Sequence, residues 1–134
     1  MSKIEVTFTV IGDPASQGSH SIINGRIVQV NSSKLNRWRK AVVEAAQEHL
    51  PQDWQPLDGP VELIVNFYMS KPASVKRSLP TVAPDLDKLI RGVGDALTMA
   101  GVVTDDSRIV RISARKIYAA HMESGATIQI STLE

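Results

Sequence analysis

The sequence contains no cysteine among its 134 residues. This absence excludes a disulfide framework, a thiolate metal site and a cysteine nucleophile, so any metal ligands must be oxygen atoms or histidine nitrogens. The sequence also lacks an apolar run of the length that a signal peptide or a membrane span needs. We therefore expect a cytoplasmic protein with no membrane partner.

Neither charge nor hydrophobicity is extreme. The formal net charge is +1, and hydrophobic residues make up 43% of the chain, which is enough to bury the core of one domain. We expect residues 1–132 to form that domain. The last two residues, Leu133 and Glu134, continue no pattern and are set aside as a candidate cloning remnant.

The first half of the chain predicts strands followed by a helix. Residues 3–11 alternate apolar and polar side chains, which is the period of a half-buried strand. An Asn-Gly pair between apolar residues predicts a β-hairpin over residues 22–28. From Ser32 or Ser33, either of which is a suitable N-cap, apolar residues at helical spacing predict a helix to about Leu50.

The second half predicts a strand, a loop, a helix and two further strands. Residues 61–69 alternate like a strand, and residues 85–100 carry apolar side chains at helical spacing. Between them, residues 71–84 combine basic residues with three prolines, which is the profile of a mobile basic loop. The closing strand is predicted over residues 125–132.

The strand expected after residue 106 has two different faces. Val110, Ile112 and Ala114 alternate with polar residues, which predicts one core face and one basic face. Together the patterns predict an α+β fold. It is a single two-layer domain in which two main helices pack on a mixed β-sheet of about five strands, in the order β-hairpin-α-β-α-β-β.

Four aspartates form the densest acidic cluster of the chain. Asp85 and Asp87 lie at the predicted start of the second helix, and Asp105 and Asp106 follow its end. The segments on both sides are basic. Hard cations such as Mg²⁺ prefer carboxylate ligands, and basic surroundings suit a polyanion, so the pattern indicates metal-dependent chemistry on nucleic acid. The two pairs can meet only if the next strand runs back beside the helix start.

A purely structural role explains the same acids without a metal. An aspartate at a helix start caps free backbone amides, worth about 0.5–2 kcal/mol, and complements the helix dipole. Asp-Asp-Ser is also an ordinary turn sequence. Spacing alone therefore leaves open a small α+β domain whose acids only cap and turn.

A longer string of residues carries a family resemblance. It consists of Pro84-Asp85-Leu86-Asp87-Lys88-Leu89-Ile90-Arg91, Asp95-Ala96-Leu97, Ala100-Gly101-Val102 and Asp105-Asp106-Ser107, followed by a basic strand. In this string the chain resembles the RusA family of Holliday junction resolvases, which are common in bacteriophages and prophages. The match is densest over residues 84–116.

The resemblance implies an Mg²⁺-dependent endonuclease, with Mn²⁺ as a substitute ion, that cuts four-way DNA junctions symmetrically in recombination, repair or phage DNA processing. It makes Asp85, Asp87 and Asp106 the metal-binding carboxylates, with Asp105 beside them. Such a site suits phosphodiester hydrolysis, because Mg²⁺ polarises the phosphoryl oxygen and lowers the pKa of a bound water. Three aspartates are compatible with one ion or two.

Paired symmetric cutting also needs two active sites related by a twofold axis. A single small chain supplies them by dimerising, so a homodimer is expected. Strand 61–69 and the apolar side of helix 85–100 are the candidate dimer surfaces, and the sequence does not choose between them.

Two positions depart from the commonest form of the family. Lys88 stands where many members have asparagine, and Arg91 stands where the family's catalytic lysine is found. Arginine keeps the positive charge but cannot transfer a proton, so Lys88, three residues from Asp85, is a second candidate for that role. A structural alternative for Arg91 is an ion-pair ladder with Asp87 and Asp95 at four-residue spacing.

Basic residues on either side of the acids are the candidate DNA surface, because contacts to phosphates give salt-sensitive binding. They are Lys71, Lys76, Arg77, Arg108, Arg111, Arg115 and Lys116. The leading prediction is a junction-resolving nuclease. The alternative, raised by Arg91, is a branched-DNA-binding protein of the same fold with weak or no nuclease activity.

Overall fold

A computed structural model describes residues 3–16, 20–29 and 32–134 of the chain. Its elements are β1 (Glu5–Ile11), β2 (His20–Ile23), β3 (Arg26–Gln29), α1 (Ser32–His49), β4 (Val61–Met69), α2 (Leu86–Met99), a 3₁₀ helix (Asp106–Arg108), β5 (Ile109–Tyr118) and β6 (Gly125–Thr132). The α+β class and the predicted order of elements are confirmed. In the described ranges, no helix is long and apolar enough to cross a membrane.

The main sheet has four strands, so the expectation of about five was wrong. Its order is β1-β6-β4-β5, and only the β4–β5 pair is parallel. The hairpin strands β2 and β3 pair with each other in a separate two-stranded sheet. Asn24 and Gly25 join them with φ angles of 53° and 77°, the positive values that a tight hairpin turn requires.

One face of the sheet is covered by the two helices. Alternate residues of each covered strand, such as Phe8, Leu63 and Ile128, point into this core and are at most 2% exposed. Helix α2 contributes a stripe that includes Leu89, Val93 and Leu97, each fully buried. Helical and strand periodicity therefore predicted the core face of these elements correctly.

Strand β5 departs from its prediction. Val110 and Ile112, assigned to the core, are 63% and 49% exposed. The physical reason is that β5 forms the edge of the sheet. Its pairing with β4 also shifts register between Val61 and Glu62, because Val61 pairs with Ile109 whereas Glu62 pairs with Arg111. Val110 is thus the extra residue of a bulge.

Of the two sequence-based candidates for a dimer surface, the apolar side of α2 is used inside the protomer, and β4 is used there on one face. Strand β4 is paired on both edges, and its apolar face lies in the core. The apolar stripe of α2 is buried against the same core. The opposite face of β4, with Glu62, Ile64, Asn66 and Tyr68, is only half-buried, so it stays a candidate dimer surface.

Candidate active site

Asp85 and Asp87 lie at the start of α2, where the sequence placed them. Asp85 is the N-cap residue, but its side chain makes no capping hydrogen bond. Its Oδ2 instead lies 3.6 Å from the Lys88 Nζ. Asp87 is exposed in the first turn. A capping role therefore does not account for the Asp85 carboxylate.

Asp105 and Asp106 lie in the 3₁₀ turn before β5, and Asp105 does act as a cap. Its Oδ2 accepts a hydrogen bond of 3.0 Å from the backbone N–H of Ser107. Hydrogen bonds from the Ser107 side chain and backbone, with the charge of Arg108, hold the pKa of Asp105 below its ordinary value. Capping and turn formation, the roles that need no metal, therefore account for Asp105.

This turn is tied to the linker before β4. Asp58 Oδ1 accepts hydrogen bonds from the Thr104 hydroxyl at 2.8 Å and from Arg108 Nε at 3.1 Å. Both groups, Thr104 first, lower the pKa of Asp58. Backbone bonds from Leu57 N–H to Val102 and from Thr104 N–H to Leu57 join the same segments. Asp105 and Asp106 are therefore presented from an anchored turn.

Asp106 packs against the middle of helix α2. A Cβ atom built on Gly94 would lie at ordinary contact distance, 3.4 Å from the Asp106 Cβ and 3.8 Å from its Oδ2, so a side chain longer than a methyl group would crowd this aspartate. Gly94 follows Asp87 by seven residues, which is two helical turns or roughly 10 Å. Arg91 lies between them along the helix. Asp106 thus lies near α2 but beyond its first turn.

The carboxylates have the donor chemistry that Mg²⁺ prefers. Within the described residues of this single protomer, however, no group of three or more His, Cys, Asp or Glu side chains is close enough to hold a metal ion. Asp85 and Asp87 share one helix end, and Asp106 is separate from them. A common site for Asp85, Asp87, Asp106 and Asp105 stays a prediction.

Arg91 does not form the predicted ladder. It is exposed, and in the part of the chain that the structure describes no carboxylate oxygen lies within 4.0 Å of its guanidinium. Its charge is available on the face between Asp87 and Asp106. The alternative residue, Lys88, is engaged with Asp85.

The segment 71–84, predicted to be a mobile loop, is anchored on the end of β5. Arg77 Nε donates a 2.9 Å hydrogen bond to the Tyr118 hydroxyl, and Lys71 Nζ lies 5.4 Å from the centre of the same ring. Lys116 Nζ donates to the backbone carbonyls of Val82 and Pro84, at 2.9 Å each. Lys116 therefore fixes the backbone that leads directly into Asp85.

The arginines of the candidate DNA surface near the sheet edge also have protein partners. Arg111 lies 3.4 Å from a Glu62 carboxylate oxygen, and Arg115 Nε donates to Asn66 Oδ1 at 2.7 Å. Arg108 is held by Asp58, as described above. Lys76 is exposed in the 71–84 segment, and its side chain makes no hydrogen bond or ion pair with the described residues.

Sequence reasoning missed Arg39. This α1 residue lines an open cavity of about 330 Å³ together with Asp95, Thr98, Met99, Asp105 and Asp106. The sequence offered no signal for it, because neither spacing nor motif connects α1 to residues more than 50 positions further along the chain. Only the packing of α1 beside α2 brings the arginine to the acids.

Comparison with known proteins identifies the class. A family model described as Endodeoxyribonuclease RusA matches residues 12–131, a span that contains all four aspartates. The chain therefore belongs to the RusA endodeoxyribonuclease family, which confirms the resemblance found in the sequence. It is also similar to the uncharacterized protein YqaN of Bacillus subtilis (strain 168). The two are 32% identical over 128 residues, covering 85% of this chain and 88% of that protein.

Proposed function

We propose that this protein is an Mg²⁺-dependent endodeoxyribonuclease that resolves four-way DNA junctions by paired, symmetric phosphodiester hydrolysis. The family match over residues 12–131 is the observation that carries the proposal. Recombination, repair or phage DNA processing in the cytoplasm would provide such junctions. Branched DNA is the expected partner, and a homodimer is the expected form because two cuts need two sites.

Asp85, Asp87 and Asp106, with Asp105 beside them, are the residues that would hold Mg²⁺. When bound, the ion would polarise the phosphoryl oxygen and supply a more acidic water, and Mn²⁺ would serve as a substitute. Two observations support these residues: the Asp85 side chain is not used as a cap, and Asp106 lies beside Gly94 of α2.

Arg91 would supply positive charge to the phosphate between the two acidic positions. Its guanidinium can stabilise developing negative charge but cannot give or take a proton at working pH. Lys88 is the nearby group able to do so, and its ammonium lies beside Asp85. Arg91→Ala is expected to lower cleavage strongly without loss of fold, and unchanged turnover on a junction would refute this role.

A synthetic four-way junction tests the proposal. Wild-type protein should introduce symmetric nicks in Mg²⁺ and none in EDTA, whereas Asp85→Asn and Asp106→Asn should bind the junction without cutting it. Asp53→Asn, an exposed aspartate in the turn after α1, is the matched control and should cut normally. Cleavage by Asp85→Asn at the wild-type rate would contradict the metal site.

One observation favours a second candidate function. Arginine replaces the lysine of the family's catalytic position, so a branched-DNA-binding protein with weak or no nuclease activity has the same fold and surface. Salt-sensitive junction binding without any Mg²⁺-dependent nick would select this candidate. Restored or raised cutting by Arg91→Lys would then show that the substitution is the cause.

A further inference from the structure

Arg39 is a charged residue of α1 with a buried N–H group that is unpaired in the described part of the chain. Its Nε atom is buried, and no described residue accepts a hydrogen bond from it. In the described ranges, no carboxylate oxygen lies within 4.0 Å of its guanidinium, although Asp95, Asp105 and Asp106 line the same cavity. Arginine stays charged at all working pH values, so the charge is not relieved by loss of a proton. The Arg39 side chain can therefore donate hydrogen bonds to a ligand that enters the cavity.

The shape and lining of the cavity indicate which hydrogen-bond acceptor could bind Arg39. It is open to solvent on one side and about 330 Å³ in volume, so a group entering from outside can reach Arg39. The planar guanidinium presents paired N–H groups that match two oxygens of a phosphate. The carboxylates that line the cavity repel an anion by themselves. A phosphate bound together with a divalent cation avoids this repulsion, because the cation binds the carboxylates and the phosphate binds Arg39.

We propose that Arg39 binds the scissile phosphate at the Asp106 side of the active site, through its non-bridging oxygens. This inference rests on the proposed nuclease function and adds a residue that no motif assigns. Arg39 comes from α1, whereas the other candidate groups come from α2 and the turn before β5. The phosphate would therefore be contacted from two helices, by Arg91 of α2 and by Arg39 of α1.

A structural role for Arg39 makes a different prediction. If its charge only balances the acids between α1 and α2, its loss should lower thermal stability and leave the rate of cutting per folded molecule unchanged. If it binds the reacting phosphate, its loss should lower the rate at saturating junction. An arginine that only attracts DNA would instead raise the KM and leave kcat unaltered.

The test compares Arg39→Gln, Arg39→Lys and Arg37→Gln in single-turnover cleavage of a four-way junction with Mg²⁺. Arg37 is the matched control because it is an exposed arginine of the same helix that lines a different cavity. Removing one preorganised donor to a transition state costs roughly 10²–10³-fold in kcat, so that loss is expected for Arg39→Gln. Arg39→Lys should recover part of the rate, since it keeps the charge without the fork.

A second measurement does not depend on activity. In ¹⁵N-labelled Asp85→Asn protein with Mg²⁺, which is expected to bind the junction without cutting it, the Arg39 Nε–H resonance should shift on addition of the junction and the Arg37 resonance should not. The melting temperature of Arg39→Gln should equal or exceed that of wild type, because the variant removes an unsatisfied buried donor.

Three results would overturn the proposal. They are wild-type kcat in Arg39→Gln, an equal loss in Arg37→Gln, and a loss that follows lowered melting temperature alone. If wild-type protein cuts the junction and Arg39→Gln cuts equally well, only the role of Arg39 fails. If wild-type protein cuts no junction in Mg²⁺ or Mn²⁺, the proposed function and the role of Arg39 fail together.

Discussion

Gly94 shows how one missing side chain shapes the candidate site. Its hydrogen atom faces Asp106, and a methyl group at this position would just reach ordinary contact distance of 3.4 Å from the Asp106 Cβ. The residue lies inside α2, where glycine is about 1 kcal/mol less favourable than alanine. With glycine at this position of α2, no longer side chain crowds the Asp106 carboxylate.

We predict opposite outcomes for two substitutions at Gly94. Gly94→Ala should raise the free energy of unfolding by up to about 1 kcal/mol, because helix propensity improves and the methyl group fits. Gly94→Leu should displace Asp106 and lower junction cleavage by at least tenfold, roughly the effect of a misplaced active-site group. Denaturant unfolding and cleavage assays measure the two effects. Full activity of Gly94→Leu would show that the position of Asp106 is unimportant.

Hydrogen bonds from Ser107 are the main cause of the lowered pKa of Asp105. Ser107→Ala should raise the pKa of Asp105 toward its ordinary value, but not fully, because the backbone N–H of residue 107 still donates. A depressed carboxyl pKa stabilises the fold above the unfolded-state pKa, and that stabilisation is lost as pH falls through the folded-state pKa. The variant should therefore lose less stability than wild type on acidification below the ordinary aspartate range.

Carboxyl titration by ¹³C NMR measures this shift directly. Thr104→Val is the reciprocal control, since Thr104 is the leading cause of the lowered pKa of Asp58. It should raise the pKa of Asp58 and leave that of Asp105 in place. A change at both aspartates in either variant would mean that the turn itself had rearranged.

At the scale of elements, β5 orders the segment that precedes the acids. Lys116 crosses from β5 to the carbonyls of Val82 and Pro84, so a strand far along the chain fixes the approach to Asp85. We predict that Lys116→Met increases amide hydrogen exchange around residues 82–86 and lowers cleavage more than junction binding. Lys116 would then be a positioning residue instead of a direct DNA contact.

Lys76→Met is the control for this prediction. Lys76 belongs to the same segment and is not hydrogen-bonded or ion-paired to any described residue, so its loss should leave exchange around residues 82–86 unchanged. Faster exchange in both variants would indicate that charge alone, and not the hydrogen bonds of Lys116, orders the segment.

At the scale of the whole molecule, the formal net charge is only +1, and the basic side chains differ in whether they are paired with other protein groups. Arg108, Arg111 and Arg115 are engaged with protein groups, whereas Lys76 is exposed and has no hydrogen-bond or ion-pair partner in the described ranges. Each phosphate contact contributes about 0.9 to the slope of log affinity against log salt. We predict that Lys76→Gln reduces this slope by about 0.9, the value for one contact.

Arg108→Gln tests the other half of that argument. Its guanidinium is already committed to Asp58, so the slope for junction binding should change much less than in Lys76→Gln. Fluorescence anisotropy over a series of salt concentrations, without Mg²⁺, gives both values. Equal slopes for the two variants would show that paired arginines reach phosphates as readily as the free lysine.

The sequence by itself determined the class of fold, the order of its elements and the family. Strand and helix periods are local, so the bounds of α1, β4 and α2 were predicted to within one or two residues. The Asn-Gly turn of the hairpin is equally local. The string from Pro84 to Ser107 identified the family because its spacing is specific even where single residues are not.

Only the tertiary structure decided which groups face one another. Nothing local makes β5 an edge strand, turns Lys116 toward Pro84, or brings Arg39 to the cavity beside Asp106. Each of these depends on contacts between residues that are 32 or more positions apart in the chain. Such contacts arise from packing the elements together, and a periodic pattern in one element carries no information about its neighbour.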